Sequence, residues 1–170
     1  ANLEKLKQQR PIVSPSMLKC DFADLNREVK RLELAGAAVL HWDVMDGHFV
    51  RNLSYGAMVI KSLRKSTQLL FDAHLMISDP ERYLPDYLDA GCDWITIHIE
   101  AVPQPGTLLQ RMKEADCLVG LAVNPQTPWE RIRPWISEVD SILIMSVEPG
   151  FGGQAFIPAV LDKVKALKPL

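Results

Sequence analysis

AVLHWDVM, residues 38–45, is an apolar run that carries a histidine and an aspartate. Side chains alternate across a β-strand, so His41, Asp43 and Met45 share one face while Trp42 and Val44 share the other. LLFDAHLM, residues 69–76, repeats the arrangement, with Asp72, His74 and Met76 on one face. In WITIHIE, residues 94–100, Thr96, His98 and Glu100 oppose Ile95, Ile97 and Ile99. Strands of this kind are covered by apolar partners on one side and gather ionisable groups on the other.

Further runs of the same character occupy 12–18 (IVSPSML), 117–124 (CLVGLAVN) and 141–150 (SILIMSVEPG). Amphipathic segments follow each run, at 22–36, 55–65, 79–91, 107–115, 127–139 and 157–167. Asp21 suits an N-cap and Gly36 a helix stop, while Pro80, Pro128 and Pro158 suit first-turn positions. Six successive βα units predict a parallel sheet covered by helices. An open doubly wound sheet and a closed barrel both fit that count. The late-strand positions of His41, Asp43, His74, His98 and Glu100 favour a βα barrel of the TIM type, whose sites lie at the strands' C-terminal ends.

The bulk composition excludes several classes. The chain has 170 residues, with 19 basic and 21 acidic side chains and a formal charge of -2, so nothing draws it to nucleic acid. No apolar run approaches the roughly 20 residues that span a bilayer. Cys20, Cys92 and Cys117 match no zinc or disulfide spacing, and reduced thiols in a cytoplasmic protein are expected. Neither G-x-G-x-x-G after the first strand nor a phosphate-loop G-x-x-x-x-G-K occurs, which sets aside nucleotide binding.

Two imidazoles and a carboxylate converging from neighbouring strands could hold a divalent ion. A metal-free His–Asp hydrogen-bond network fits the spacing equally. The loop SVEPGFGGQAF, 146–156, carries Gly150, Gly152 and Gly153, which free the backbone to approach a phosphate ahead of a helix opening near Pro158. Met45, Met76 and Met145 fall late in their strands, as core packing or as an apolar lining around a reacting carbon.

In order and with matching gaps, SPSMLKCDFADL, HWDVMDGHFVRNLSYG, DAHLMISDPERY, TIHIEA, LAVNPQTP and MSVEPGFGGQAFIP resemble the ribulose-phosphate 3-epimerase family. The resemblance implies a (βα)8 barrel that interconverts D-ribulose 5-phosphate and D-xylulose 5-phosphate through an enediolate, by proton abstraction at carbon 3. It implies one divalent ion (zinc, iron, manganese or cobalt) on His41, Asp43 and His74, with Asp43 also an acid/base residue. It further implies substrate contacts from Ser16, His74, Met45, Met76 and Met145, and a phosphate end at Gly150, Gly152, Gly153 and Gln154.

One departure from the family is visible. The family's second acid/base carboxylate lies in a D-G-G motif on the seventh strand, and D-G-G does not occur in these residues. The expectation is a single domain over 1–170, an incomplete barrel with six of eight units, lacking the seventh and eighth. Its exposed edge strands would favour a homo-oligomer. Asp46, His98 and Glu148 are nearby groups that could donate a proton, each with an ordinary structural alternative. Two functions remain in view: an epimerase acting on a small phosphorylated sugar, or an impaired homologue that binds metal or sugar phosphate, or assembles as a scaffold.

Overall fold

The computed structural model describes Leu6 and residues 11–168. Five strands, β1 (Val39–Met45), β2 (Leu70–Met76), β3 (Trp94–His98), β4 (Leu118–Val123) and β5 (Ser141–Ile144), form one parallel sheet in the order β1-β2-β3-β4-β5. Each strand pairs with the next in sequence and the order never reverses. A doubly wound sheet requires a reversal, so this is the singly wound arrangement of a βα barrel, here not closed.

Within residues 11–168, five α-helices accompany the sheet: α1 (Leu25–Leu34), α2 (Ala57–Leu63), α3 (Pro80–Asp89), α4 (Gly106–Glu114) and α5 (Val160–Leu167). The main core lies between them and the sheet's outer face. Leu40, Trp42 and Val44 of β1, Phe71, Ala73 and Leu75 of β2, and Ile95 and Ile97 of β3 pack there with Val29, Ile60, Leu84, Leu108 and Met112. The alternation read from sequence is thus realised: apolar side chains face the helices and the ionisable set faces the interior.

Three helices end alike. Gly36, Gly91 and Asp116 adopt positive φ (87°, 81° and 56°) just after α1, α3 and α4. The N–H of the next residue reaches back five positions each time, Ala37 to Leu32, Cys92 to Tyr87 and Cys117 to Met112. This Schellman arrangement turns each helix into the following strand.

Two expected elements differ. The run 12–18 forms no strand, so there are five rather than six among the described residues. Its contact with β1 is a single parallel bridge, Ser16 to His41, with Pro15 accepting from the His41 N–H at 3.0 Å. Pro15 has no N–H to extend a ladder, and Ser16 instead caps a 3₁₀ turn, Met17–Lys19. The segment 127–139 forms two 3₁₀ stretches, Trp129–Arg131 and Arg133–Glu138, rather than an α-helix. Pro134 removes a donor from its middle. A smaller change is that Asp21 caps the 3₁₀ turn Phe22–Asp24, and Asp24 caps α1.

Candidate active site

The β1–β2 register sets His41 beside Asp72 and Asp43 beside His74. All four side chains are on the interior face, so each histidine meets a carboxylate across the pair. His41 Nδ1 lies 2.7 Å from Asp72 Oδ2, and His41 Nε2 lies 3.4 Å from Asp43 Oδ1. His74 Nδ1 approaches the same Asp43 Oδ1 at 3.1 Å. The Ser16 hydroxyl donates to Asp43 Oδ2. The Asp43 peptide N–H donates to the Tyr55 hydroxyl oxygen at 3.0 Å.

These surroundings separate the protonation states. Burial opposes a charged His41, but its hydrogen bonds to Asp43 and Asp72 prevail and hold its pKa up at about 10. Burial likewise opposes ionised Asp43, yet hydrogen bonds from His41 and His74 keep its carboxyl well below the usual range. His74 is pushed down to about 4, chiefly by burial and then by the neighbouring His98 and His41 charges. Glu100 is held down at about 2, hydrogen bonds from His98 and Thr127 outweighing burial.

His41, Asp43 and His74 each offer one ligand atom, and the three atoms lie within 4.8 Å of one another. Two imidazole nitrogens and one carboxylate oxygen are a donor set suited to a divalent transition ion. Asp72 acts as the outer carboxylate of such a site, fixing the His41 ring so that Nε2 faces Asp43. The residues present therefore fit a metal.

Above this cluster, at the C-terminal end of the strands, is a cavity of ≈ 220 Å³. Ser16, Asp43, Met45, Met76, Met145 and the loop residues Gly150, Gly152 and Gly153 all line it. Met45 and Met76 pack with Val50 in a small cluster of their own. Gly150 and Gly153 take positive φ (122° and 81°), and Asn52 anchors the loop by donating to the Gly150 carbonyl at 2.8 Å. Gln154 is not among the lining residues; its amide donates to the carbonyls of Glu148 and Phe151 at 2.6 and 2.8 Å and braces the loop. His41 lines a second cavity, of ≈ 310 Å³, with Asp72, Thr96 and Ser141.

Asp46 spends its carboxylate on the N–H groups of His48, Phe49 and Ser78. Glu148 lines the first cavity. Lys19, from the 3₁₀ turn Met17–Lys19, and Tyr55, from the loop before α2, also reach the site, although the sequence reading gave neither a role. Gly152 lies so close to Lys19 that a Cβ there would meet the lysine Cε at 2.7 Å.

No helix among the described residues is long and apolar enough to cross a membrane. Solved structures with the same fold include tryptophan synthase subunit alpha from Legionella pneumophila (TM-score 0.60, 15% identity, 85% of this chain and 65% of that one). Another is 7,8-dihydropteroate synthase from Vibrio fischeri (TM-score 0.54, 13% identity, 94% and 70%). At these identities the likeness is one of fold alone.

Sequence relatives are nearer. Ribulose-phosphate 3-epimerase of Bacillus subtilis is 44% identical over 156 residues, 92% of this chain and 72% of the relative. That of Escherichia coli K12 is 44% identical over 158 residues, 92% and 70%. The model of the ribulose-phosphate 3-epimerase family matches residues 12–170, a span that contains every residue of the cluster and the cavity above it. With fold, site and sequence in agreement, the chain belongs to the ribulose-phosphate 3-epimerase family, whose members named here are isomerase-class enzymes.

Proposed function

We propose that the chain binds one divalent ion, zinc, iron, manganese or cobalt, and epimerises a ketose phosphate at carbon 3, D-ribulose 5-phosphate and D-xylulose 5-phosphate being the pair. The observation that supports this best is that Asp43 belongs both to the His41–Asp43–His74 cluster and to the lining of the cavity above it. A proton acceptor thus stands at the boundary between the ion's ligands and the space for a substrate.

The proton on carbon 3 is acidic because carbon 2 is a carbonyl. His41, Asp43 and His74 would hold the divalent ion, which would supply Lewis-acid stabilisation of the negative charge that builds as the proton leaves carbon 3. Asp43, kept ionised by its neighbours, accepts the proton from one face, and inversion is completed when solvent water in the open cavity returns a proton to the opposite face of carbon 3. Such a carboxylate is a weak base, so abstraction depends on the acidity conferred on carbon 3. Ser16, hydrogen-bonded to Asp43, fixes the orientation of that carboxylate. Met45, Met76 and Met145 surround the reacting carbon with apolar atoms, and Gly150, Gly152 and Gly153 let the backbone approach the phosphate.

A second reading, a metal- or sugar-phosphate-binding homologue that assembles through its edges, draws on β5. All four of its residues are only half-buried, whereas β2, β3 and β4 are buried from their second residue onward. NMR of D-ribulose 5-phosphate in heavy water with zinc or manganese separates the two. Deuterium at carbon 3 together with xylulose 5-phosphate is the expected result. Deuterium without inversion limits the chain to proton transfer on Asp43's face. No exchange with a folded, metal-loaded chain overturns the epimerase reading.

A further inference from the structure

We propose that Lys163 is a positioning residue, whose ammonium clamps α5 to the turn after β4 and so fixes the glycine loop 146–156 for a sugar phosphate. The inference rests on the reading of that loop as the phosphate end and deepens it. Lys163 Nζ donates to three main-chain carbonyls of one turn, Asn124 at 2.6 Å, Pro125 at 2.8 Å and Thr127 at 2.6 Å. An ammonium has three hydrogens radiating from one nitrogen, and each finds an acceptor here. Hydrogen bonds from a charged donor are about twice as strong as neutral ones, and a flat guanidinium could not serve the same three oxygens.

The clamp matters because of what it joins. The loop's start is tied to β4, the Met145 N–H donating to the Val123 carbonyl at 3.0 Å. Its neck closes where the Ile157 N–H donates to the Ser146 carbonyl at 2.9 Å, and the chain then turns into α5. Lys163 returns that far end to the residues just after Val123, so both ends of the loop hang from one strand terminus. The turn is itself anchored: the Thr127 N–H donates to the Asn124 carbonyl at 3.2 Å, and the Asn124 N–H donates to Glu100 Oε1 at 2.9 Å.

Little else holds α5. Val160 is its one buried residue, Leu167 packs partly against the core, and Leu161 and Val164 are exposed. Gln154 braces the loop internally, through the carbonyls of Glu148 and Phe151, so the loop shifts with the helix as a unit. Asn52 fixes its middle at Gly150, which leaves Gly152 and Gly153, both in the cavity lining, dependent on α5 for their position. Lys163 does not line that cavity and acts on a substrate only through the loop.

Lys163→Met keeps the stem and removes all three donors. Hydrogen exchange read by mass spectrometry should quicken about 10–100-fold over 146–167, the scale of a lost set of charge-assisted bonds. The dissociation constant of D-ribulose 5-phosphate, followed by phosphorus NMR, should rise about tenfold, while deuterium incorporation at carbon 3 under saturating sugar phosphate stays within about twofold of wild type. Circular dichroism checks that the variant is folded. A folded Lys163→Met with unchanged exchange in the loop overturns the proposal, as does one with a loosened loop and unchanged sugar-phosphate affinity. Should the variant fail to fold, NMR of the lysine-labelled wild type decides: Lys163 ammonium protons that exchange as fast as those of exposed lysines overturn the clamp, and protected ones support it. A wild-type chain that binds no sugar phosphate refutes the phosphate reading of the loop, and loop exchange then decides the clamp alone.

Discussion

Replacing Asp43 with asparagine removes a charge and a base while leaving a side chain of nearly the same shape. Oδ1 faces both imidazoles, 3.1 Å from His74 Nδ1 and 3.4 Å from His41 Nε2, and Oδ2 accepts the Ser16 hydroxyl. In Asp43→Asn the amide oxygen can keep the histidine side and the NH₂ can face Ser16. Ser16 Oγ already accepts from the Leu18 N–H at 3.1 Å, and its second lone pair is free for the new donor. His41 keeps Asp72. The change in stability should therefore stay within about 2 kcal/mol, the scale of one altered charge-assisted bond. Chemistry has no such substitute, since a carboxamide accepts no proton from carbon. Loss of a general base costs about 10²–10⁴-fold, and loss of a charged ligand weakens the ion's hold as well. The assay is deuterium incorporation at carbon 3 under saturating zinc, beside a urea melt. A folded variant that exchanges within about tenfold of wild type would refute the assignment of Asp43 as the base.

Three further outcomes follow from the geometry. His41 holds its proton to about pH 10 in the absence of metal, and a ligand must surrender it; zinc affinity should therefore rise about tenfold per pH unit between roughly 7 and 9, and a flat profile by calorimetry would contradict the pairing with Asp43 and Asp72. Gly120→Ala would bring a Cβ to 2.2 Å from Thr96 Oγ1 and 3.1 Å from Ser141 Oγ, so urea denaturation should show a loss of about 1–3 kcal/mol. Asp116→Gly relieves a side chain held at φ 56°, and after the entropy glycine adds to the unfolded chain it should stabilise by about 0.5–1 kcal/mol, read as a higher urea midpoint.

What the sequence discloses is faces, and what it conceals is neighbours. Period-two alternation was enough to put His41, Asp43 and Met45 on one side of β1 and Asp72, His74 and Met76 on one side of β2. It could not say that His41 would sit opposite Asp72 and Asp43 opposite His74, because that is a matter of register between strands. Asp72 was visible on the right face yet acquired a role only through that register. Apolar content misled where proline intervened. IVSPSML has the composition of a strand, but Pro15 denies it a ladder; Trp129, Ile132 and Ile136 have helical spacing, but Pro134 shifts the segment to 3₁₀ turns. The glycines of 146–156 were legible as freedom of the backbone, whereas Gln154 bracing its own loop was not. Tyr55 reaches the site from a loop and Lys19 from a single 3₁₀ turn, where no periodicity constrains direction.

The same distinction explains why His98 and Glu100 were ambiguous in sequence. They share a face with Thr96, which marks them as interior and nothing more. Only the 2.8 Å separation of two imidazole nitrogens turns that placement into a constraint, because two nitrogens at hydrogen-bond distance share one proton. Glu100, which meets His98 on its other side, is in turn anchored by the Asn124 N–H. The surroundings of His74 are thus a property of three strands together: β2 carries the ring, β3 brings His98 against it, and the turn after β4 holds the carboxylate that follows β3. Three such residue types within 4.8 Å are common on acidic surfaces, but His41, Asp43 and His74 stand together on the interior face of paired strands, with Asp43 also lining the cavity at their C-terminal end.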